Sequence, residues 1–456
     1  MHRRIIGCLT LVLLFLLPGM AKAQEGQEGL AAVVAALQEK LAQQEQQIKE
    51  QEQRLAQLEK TPPAATEGAA TTQPGTSDSL TPAQREEVKA VIAETDAGRK
   101  PLTLPSWLDG LKFAGDLRLR YEYNGYDWGT NGDDKEARNR ARFRARFGVM
   151  KTWLDNQLEV GMRIATGSDN DPTSTNQTFT DGFSKKDIWL DLAYAKYSPN
   201  AVKGLTVIGG KMVRPWIEDE IFFDSDVNPE GFWSEYKFAR TGAFQPFVGA
   251  GYFVVNETSS GDDSTMYLAQ AGTDVHLSEN LLYTVAGNYQ EWTDYYAAPV
   301  KARGNDSPVS RIPGLRIVNL NNSLSFPLGG RPLAMSAAFA HNCGEGDANP
   351  DYTGQDNAFA AGIKYGQNKR KGDWSLRYRY AFVEANALPG NFVDSDFGFA
   401  NRRGHIIGGE YNLLDSLTLG LGVFLTEPMF SPTTNSGSIA SEDMTTTVMA
   451  DMVWKF

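Results

Sequence analysis

EARNRARFRARFGVM, residues 136–150, sets an arginine at every second position: Arg138, Arg140, Arg142, Arg144 and Arg146. Between them stand Ala141, Phe143, Ala145, Phe147 and Val149. On a helix these arginines would scatter around the axis; on a strand all five share one face, because successive side chains alternate. The two-residue rhythm therefore predicts a strand with a guanidinium face and an apolar face. A soluble sheet with a charged outside would also satisfy this stretch, so the rest of the chain has to decide which face meets what.

The ends speak first. MHRRIIGCLTLVLLFLLPGMAKAQ has a basic start (Arg3, Arg4), an apolar run from Ile5 to Leu17 and a small-x-small step at Ala21-Lys22-Ala23. That pattern predicts a secretory signal peptide over residues 1–23. Removing Arg3, Arg4 and Lys22 takes the formal charge from −12 to −15, which argues against a nucleic-acid partner. Cys8 would leave with the leader, so Cys343 would remain alone, with no intramolecular disulfide. The far end, TTTVMADMVWKF, puts Val448, Ala450, Met452, Trp454 and Phe456 on one face, Asp451 and Lys455 on the other. Trp454 and the terminal Phe456 resemble the assembly signal that the outer-membrane assembly machinery reads on bacterial barrels. Leader and last strand together point to a Gram-negative outer membrane and contact with its lipid.

The chain then falls into parts: 24–60, 61–80, 81–110 and 111–456. Residues 30–60 carry heptads, with Val34, Leu41, Ile48 and Leu55 at a, and Leu30, Leu37, Gln44, Gln51 and Leu58 at d. Lys40 and Arg54 at g would face Glu45 and Glu59 at e of a parallel partner, opposite in sign. This predicts a periplasmic α-helical coiled coil joining like chains; a single solvated helix rich in Gln and Glu is the plain alternative. TPPAATEGAATTQPGTSDSL (61–80) reads as a flexible linker. Thr81 as N-cap with Pro82 in the first turn starts a short helix, and its Val88, Val91 and Ile92 could pack on a barrel rim.

From Leu111 onward the pattern is alternation. LKFAGDLRLRYEY sends Phe113, Leu117, Leu119, Tyr121 and Tyr123 one way, and Asp116, Arg118, Arg120 and Glu122 the other. QLEVGMRIAT alternates likewise, with Arg163 among its polar residues. Further candidates lie near 187–197, 204–213, 232–240, 244–256, 264–277, 281–292, 314–326, 332–342, 356–366, 373–384, 401–413, 417–426 and 442–456, which makes sixteen. Gly209-Gly210 obscures one parity and suggests a bulge. Connections after even-numbered strands are short, those after odd ones mostly long and polar, as in outer-membrane barrels. No segment approaches the ~18 unbroken apolar residues of a membrane helix, and the mean hydropathy of −0.38 does not argue against a barrel, since only alternate residues meet lipid. The expected fold is an all-β, antiparallel, up-and-down transmembrane β-barrel of about sixteen strands. Arginine facing lipid near the midplane costs about 2–4 kcal/mol, so a row of five must face a watery lumen.

Several phrases carry a resemblance: FAGDLRLRYEY, RNRARFRARFGV, MRIATGSDNDPTSTNQTF, GGKMVRPW and FDSDVNPEGF, in that order. They resemble the bacterial "putative porin" family, densely before residue 260 and thinly after it. The resemblance implies a passive diffusion channel and a homotrimer, and says little about the solute; it is the water-filled lumen that makes small hydrophilic solutes the expected cargo.

The candidate site has two sides. Arg118 and Arg120, the row Arg138–Arg146, and Arg163 form one basic patch on three neighbouring strands; Arg377 and Arg379 form a second. RPWIEDEIFFDSDVNPEG (214–231) supplies Glu218, Asp219, Glu220, Asp224, Asp226 and Glu230, with Trp216, Ile221, Phe222 and Phe223, which would be wasted in open solvent. It is the third long connection, the one that folds inward in general porins, so an acidic constriction facing an arginine wall is expected. Two plainer readings stand beside it. The arginines serve as wall structure, tied to Asp116, Glu122 and Glu159; the acidic segment stays outside and binds divalent cations. Tryptophan, tyrosine and phenylalanine along the barrel are read as lipid surface and girdles. His276, His341 and His405 sit in no hydrolase or metal motif, so no enzyme activity, cofactor or metal site is expected. The functional expectation is a diffusion channel. Its alternatives are an anion-selective channel for phosphate or organic acids, and an envelope tether with the barrel as anchor.

Overall fold

The computed structural model describes residues 110–126, 137–295, 298–305, 314–344, 354–429 and 444–456. The expected leader (1–23), coiled coil (24–60, with Val34, Leu37, Lys40, Leu41, Glu45, Ile48, Arg54, Leu55 and Glu59), linker (61–80) and residues 81–109 lie outside the described residues. Thr103–Phe456 forms a compact unit of its own.

Its strands are β1 Leu111–Tyr126, β2 Arg138–Trp153, β3 Leu158–Thr166, β4 Ile188–Tyr197, β5 Leu205–Lys211, β6 Glu230–Lys237, β7 Phe244–Asn256 and β8 Ser264–Ser278. They continue with β9 Leu281–Thr293, β10 Leu315–Leu328, β11 Arg331–Asn342, β12 Asn357–Gly366, β13 Trp374–Val383, β14 Arg402–Leu414, β15 Leu417–Pro428 and β16 Thr445–Lys455. Each pairs antiparallel with its sequence neighbours, and β1 pairs with β16 from Asp116↔Lys455 to Tyr126↔Thr445, so the sheet closes. Closure leaves no edge, which is what a sheet needs where no water can satisfy its backbone. One two-residue strand, Gln177–Thr178, lies against Arg142 and Phe143. It covers the part of β2 that the shorter β3 does not reach.

Short turns gather at one end of the barrel and long connections at the other. Gly329-Gly330, with φ of +56° and +77°, makes a two-residue hairpin turn whose left-handed backbone glycine adopts without a steric cost. At Gly209-Gly210 the expected bulge is absent: Ala193↔Lys211 through Tyr197↔Val207 pair without a break. Gly210 instead has φ +114°, and a Cβ there would lie 2.2 Å from the Ala193 carbonyl oxygen, so close backbone approach explains the glycine. The irregularity sits next door, where the register of β3 on β4 skips Asp191.

The two faces differ as the alternation requires. Phe113, Leu117, Leu119, Tyr121 and Phe147 are exposed on the outside, whereas Asp116, Arg120, Glu122 and Arg144 are buried within. Not every aromatic faces lipid. Trp216, Phe222, Phe223, Trp233, Phe253, Trp292, Phe392 and Phe397 pack inside the barrel, Trp216 with its ring 5.1 Å from Phe253 and Trp292 with its ring 5.6 Å from Phe392. Inserted connections, not lipid, cover them.

Candidate functional site in the barrel lumen

Pairing of β1 with β2 sets Arg118 opposite Arg144 and Arg120 opposite Arg142. Like charges directly across a sheet repel, and the neighbouring carboxylates relieve them. Asp116 accepts from Arg144 Nε (2.8 Å) and Arg146 Nε (2.7 Å). Glu122 accepts from Arg140 and from Arg142 Nη1 (2.9 Å). Arg120 places its fork on Asp451 (2.7 and 2.8 Å) and turns Nη1 to Asp396 (3.0 Å). Arg163 pairs with Asp191, the residue the bulge inserts. Arg118 meets an amide, Asn176 Oδ1, at 2.7 Å. Arg138 is exposed at the end of β2. Glu159 accepts from the Tyr194 hydroxyl (2.8 Å).

Residues 214–231 leave β5 and cross the interior. Ile217 exchanges backbone hydrogen bonds with the Gln270 side chain on β8 (3.0 and 2.8 Å). Glu218 accepts from Gln290 on β9 (3.0 Å) and Asn319 on β10 (2.7 Å), fully buried, and that burial pushes its carboxyl above the usual range. Asp219 and Glu220 then take the guanidinium of Arg379 on β13, with Arg377 4.0 Å from Glu220. In a sixteen-strand ring β13 is eight strands from β5 in either direction, so the segment spans the lumen. Arg214 holds its base, donating to the carbonyls of Glu218 (2.7 Å) and Phe223 (2.6 Å). Asp226 returns to the first patch, accepting from the Thr175 hydroxyl (3.1 Å) and standing 3.7 Å from Arg146. Glu230 does not join them; it lies on β6 and pairs with Lys211 (2.8 Å). The acids thus meet both basic patches, the second one more closely.

A second inserted segment, residues 384–401, escaped the sequence reading. It carries a short 3-10 turn, Gly390–Phe392, and repeats a motif: Asp394-Ser395-Asp396 echoes Asp224-Ser225-Asp226. In each triplet the first aspartate accepts from the third residue's N–H (2.7 and 2.8 Å). The two turns also bind each other, Asp224 N–H to the Phe392 carbonyl (2.8 Å) and Asp394 N–H to the Ile221 carbonyl (3.1 Å). Asp394 is buried and faces Asp396 and Glu220; these push its carboxyl up to about 7. Asp224 is raised by the same burial and by Asp394. Asn305 fastens the segment, donating to the carbonyls of Ala385 (2.6 Å) and Leu388 (2.8 Å). The signal was available: Leu388, Phe392, Val393 and Phe397 are as misplaced in a solvent loop as the apolar residues of 214–231.

Among the described residues no group of three or more His, Cys, Asp or Glu is placed to hold a metal ion. The arrangement offers fixed charges of both signs around a narrowed aqueous space, which is the equipment for screening and orienting solutes.

A family model described as "Putative porin" matches residues 127–309 and 330–440. No curated protein matches the sequence. Among solved structures, OprB of Pseudomonas putida aligns at 15% identity, covering 76% of this chain and 94% of its own, with a TM-score of 0.49. OmpF of Salmonella typhi, solved with daunomycin, aligns at 12% identity over 76% and 97%, TM-score 0.45. OmpT of Vibrio cholerae in a trimer form aligns at 14% identity over 76% and 100%, TM-score 0.42.

Proposed function

The chain belongs to the "Putative porin" family, and on that premise we propose that residues 214–231 form the charged constriction of its pore. The protein is an outer-membrane channel for passive diffusion of small hydrophilic solutes; family and fold point to a channel and away from an enzyme. The observation that carries the constriction is the reach of Asp219 and Glu220 to Arg379 across the barrel. The lining is basic on Arg118, Arg120, Arg138, Arg140, Arg142, Arg144, Arg146, Arg163, Arg377 and Arg379, and acidic on the inserted segment. Three chains form the channel unit, and the coiled coil of residues 24–60 joins them on the periplasmic side. Trp454 and Phe456 serve as the assembly signal.

A second reading, a channel preferring phosphate or organic acids, is favoured by one observation. Asp116 and Glu122 each serve two guanidiniums, and Arg118 is met by an amide, which leaves an excess of positive charge on β1 and β2.

Single-channel recording in a planar bilayer under a KCl gradient tests both. Stepwise conductance is expected, and Asp219→Asn with Glu220→Gln should shift the reversal potential toward chloride. A reversal potential unmoved by that double substitution removes these acids from the filter. A folded protein without conductance would promote the tether.

A further inference from the structure

Among the described residues, 214–231 make no hydrogen bond to one sector of the wall. The second inserted segment packs Phe397 against Ile406, Phe424 and Met449 at one end of that sector. Beside this cover lie Lys364, Glu410 and several glycines that patterning did not single out, next to Arg377, which it did. Residues 214–231 bond to β8, β9, β10 and β13, and reach back toward β2 through Asp226. None of those contacts falls on β14, β15 or β16. There the inward positions are unusually bare. Register places Gly408 beside Arg377 on β13, Gly422 beside Gly408, and Gly420 beside both Glu410 and Asp451. A concavity of about 80 Å³ lies over these glycines, bordered by Lys364, Arg377, Glu410 and Asp396.

Exposure separates this sector from the arginine row. In the row, Arg142 and Arg144 are 11 and 10% exposed and Arg140 and Arg146 22 and 21%, all paired with carboxylates. Arg377, Glu220 and Asp396 are 41, 48 and 32% exposed. A solute moving through water meets the exposed charges first. The glycines are not needed for backbone conformation at two positions: Gly420 and Gly422 lack positive φ, and an added Cβ would touch its nearest neighbour at ordinary distances of 3.5 and 3.6 Å. Side chains there would therefore fit the wall and project into the lumen.

We propose that solutes pass along the glycine-lined sector between β13 and β1, where Lys364 and Arg377 in one row of the wall, Glu410 in the next row, and Asp396 on the inserted segment read their charge. This rests on the channel reading above and assigns the path within it. The bare glycines widen the passage at the level of the constriction. The adjacent rows of opposite sign bring cations and anions near parity, so the sector favours small hydrophilic solutes that carry both signs over those that carry one.

The test is cysteine accessibility in the full chain, with Cys8 and Cys343 changed to Ser. Gly420→Cys and, as a second variant should the first fail to fold, Gly422→Cys are recorded in a bilayer before and after a bulky methanethiosulfonate reagent. Leu421→Cys, which points outward between them, is the control. Conductance should fall by about half or more on labelling either glycine variant, and stay unchanged for Leu421→Cys. In parallel, Glu410→Gln should shift the reversal potential toward chloride and Lys364→Gln toward potassium. Full conductance after labelling, with attachment verified by mass, overturns the path. A cysteine-free parent that folds and conducts nothing overturns the channel reading with it.

Discussion

At the scale of single residues, the lumen is governed by how guanidiniums are partnered. Arg379 is 10% exposed and holds Asp219 and Glu220 together. Arg379→Ala would strand the buried Asp219 carboxylate, a loss of about 3 kcal/mol for a buried pair broken from one side, while Glu220, half exposed, stays solvated. The barrel should then lose its compact, heat-modifiable gel migration at lower temperature, and the freed segment should raise single-channel conductance. Unchanged values of both would separate the pair from the constriction. Asp116 serves Arg144 and Arg146 at once, so Asp116→Asn should increase chloride preference in the reversal potential as well as destabilise the wall. Gly210→Ala tests backbone and not charge: positive φ and a 2.2 Å approach to the Ala193 carbonyl should cost about 1–3 kcal/mol, read in the same thermal assay.

Elements add what residues alone do not carry. The segments 214–231 and 384–401 hold each other through paired Asp-Ser-Asp turns, where carboxylates crowd together although Arg214 lies near Asp224 and Arg120 holds Asp396. Asp394 faces Asp224, Asp396 and Glu220, with Arg379 the cation acting on Asp394 itself. With a folded value of about 7 against about 3.9 unfolded, Asp394 keeps a proton in the fold that the unfolded chain has released. Its stabilising contribution is complete below about pH 4 and is lost as pH rises to about 7. Above pH 7 the ionised carboxylates repel and the joint between the segments loosens. Current noise from opening and closing should grow between pH 6 and pH 8, and Asp394→Asn should flatten that dependence. A variant that keeps the wild-type pH profile would show that Asp394 is not the titrating group.

The alternation of strands was legible because it is a property of consecutive residues. Each of the sixteen expected segments is a strand, and the arginine row lies on the inner face as its solvation cost demands. The second inserted segment was not legible in the same way. Residues 384–401 have no alternation, and what fixes them is a partner triplet with Asp394 170 residues after Asp224 in the sequence.

For the whole molecule, closure is the decisive event. β1 must find β16 at the opposite end of the barrel sequence, and Arg120 finds Asp451 across 331 residues. Thr103–Phe456 is a compact unit, so a chain lacking residues 24–80 should still insert and conduct; a tether would lose its partner-binding part. Conductance abolished by that deletion, in a barrel that still folds, would move the function toward the N-terminal region.

The sequence by itself determined the strands, their inward and outward faces and the presence of charge of both signs in the lumen, because period and solvation are local to each strand. Only the tertiary structure decided which charges neutralise each other, that Asp219 and Glu220 reach Arg379 while Glu230 does not, and that 384–401 fills the lumen beside 214–231. Those outcomes depend on ring closure, which brings residues hundreds of positions apart within hydrogen-bonding distance. No pattern along the chain encodes distances across the ring.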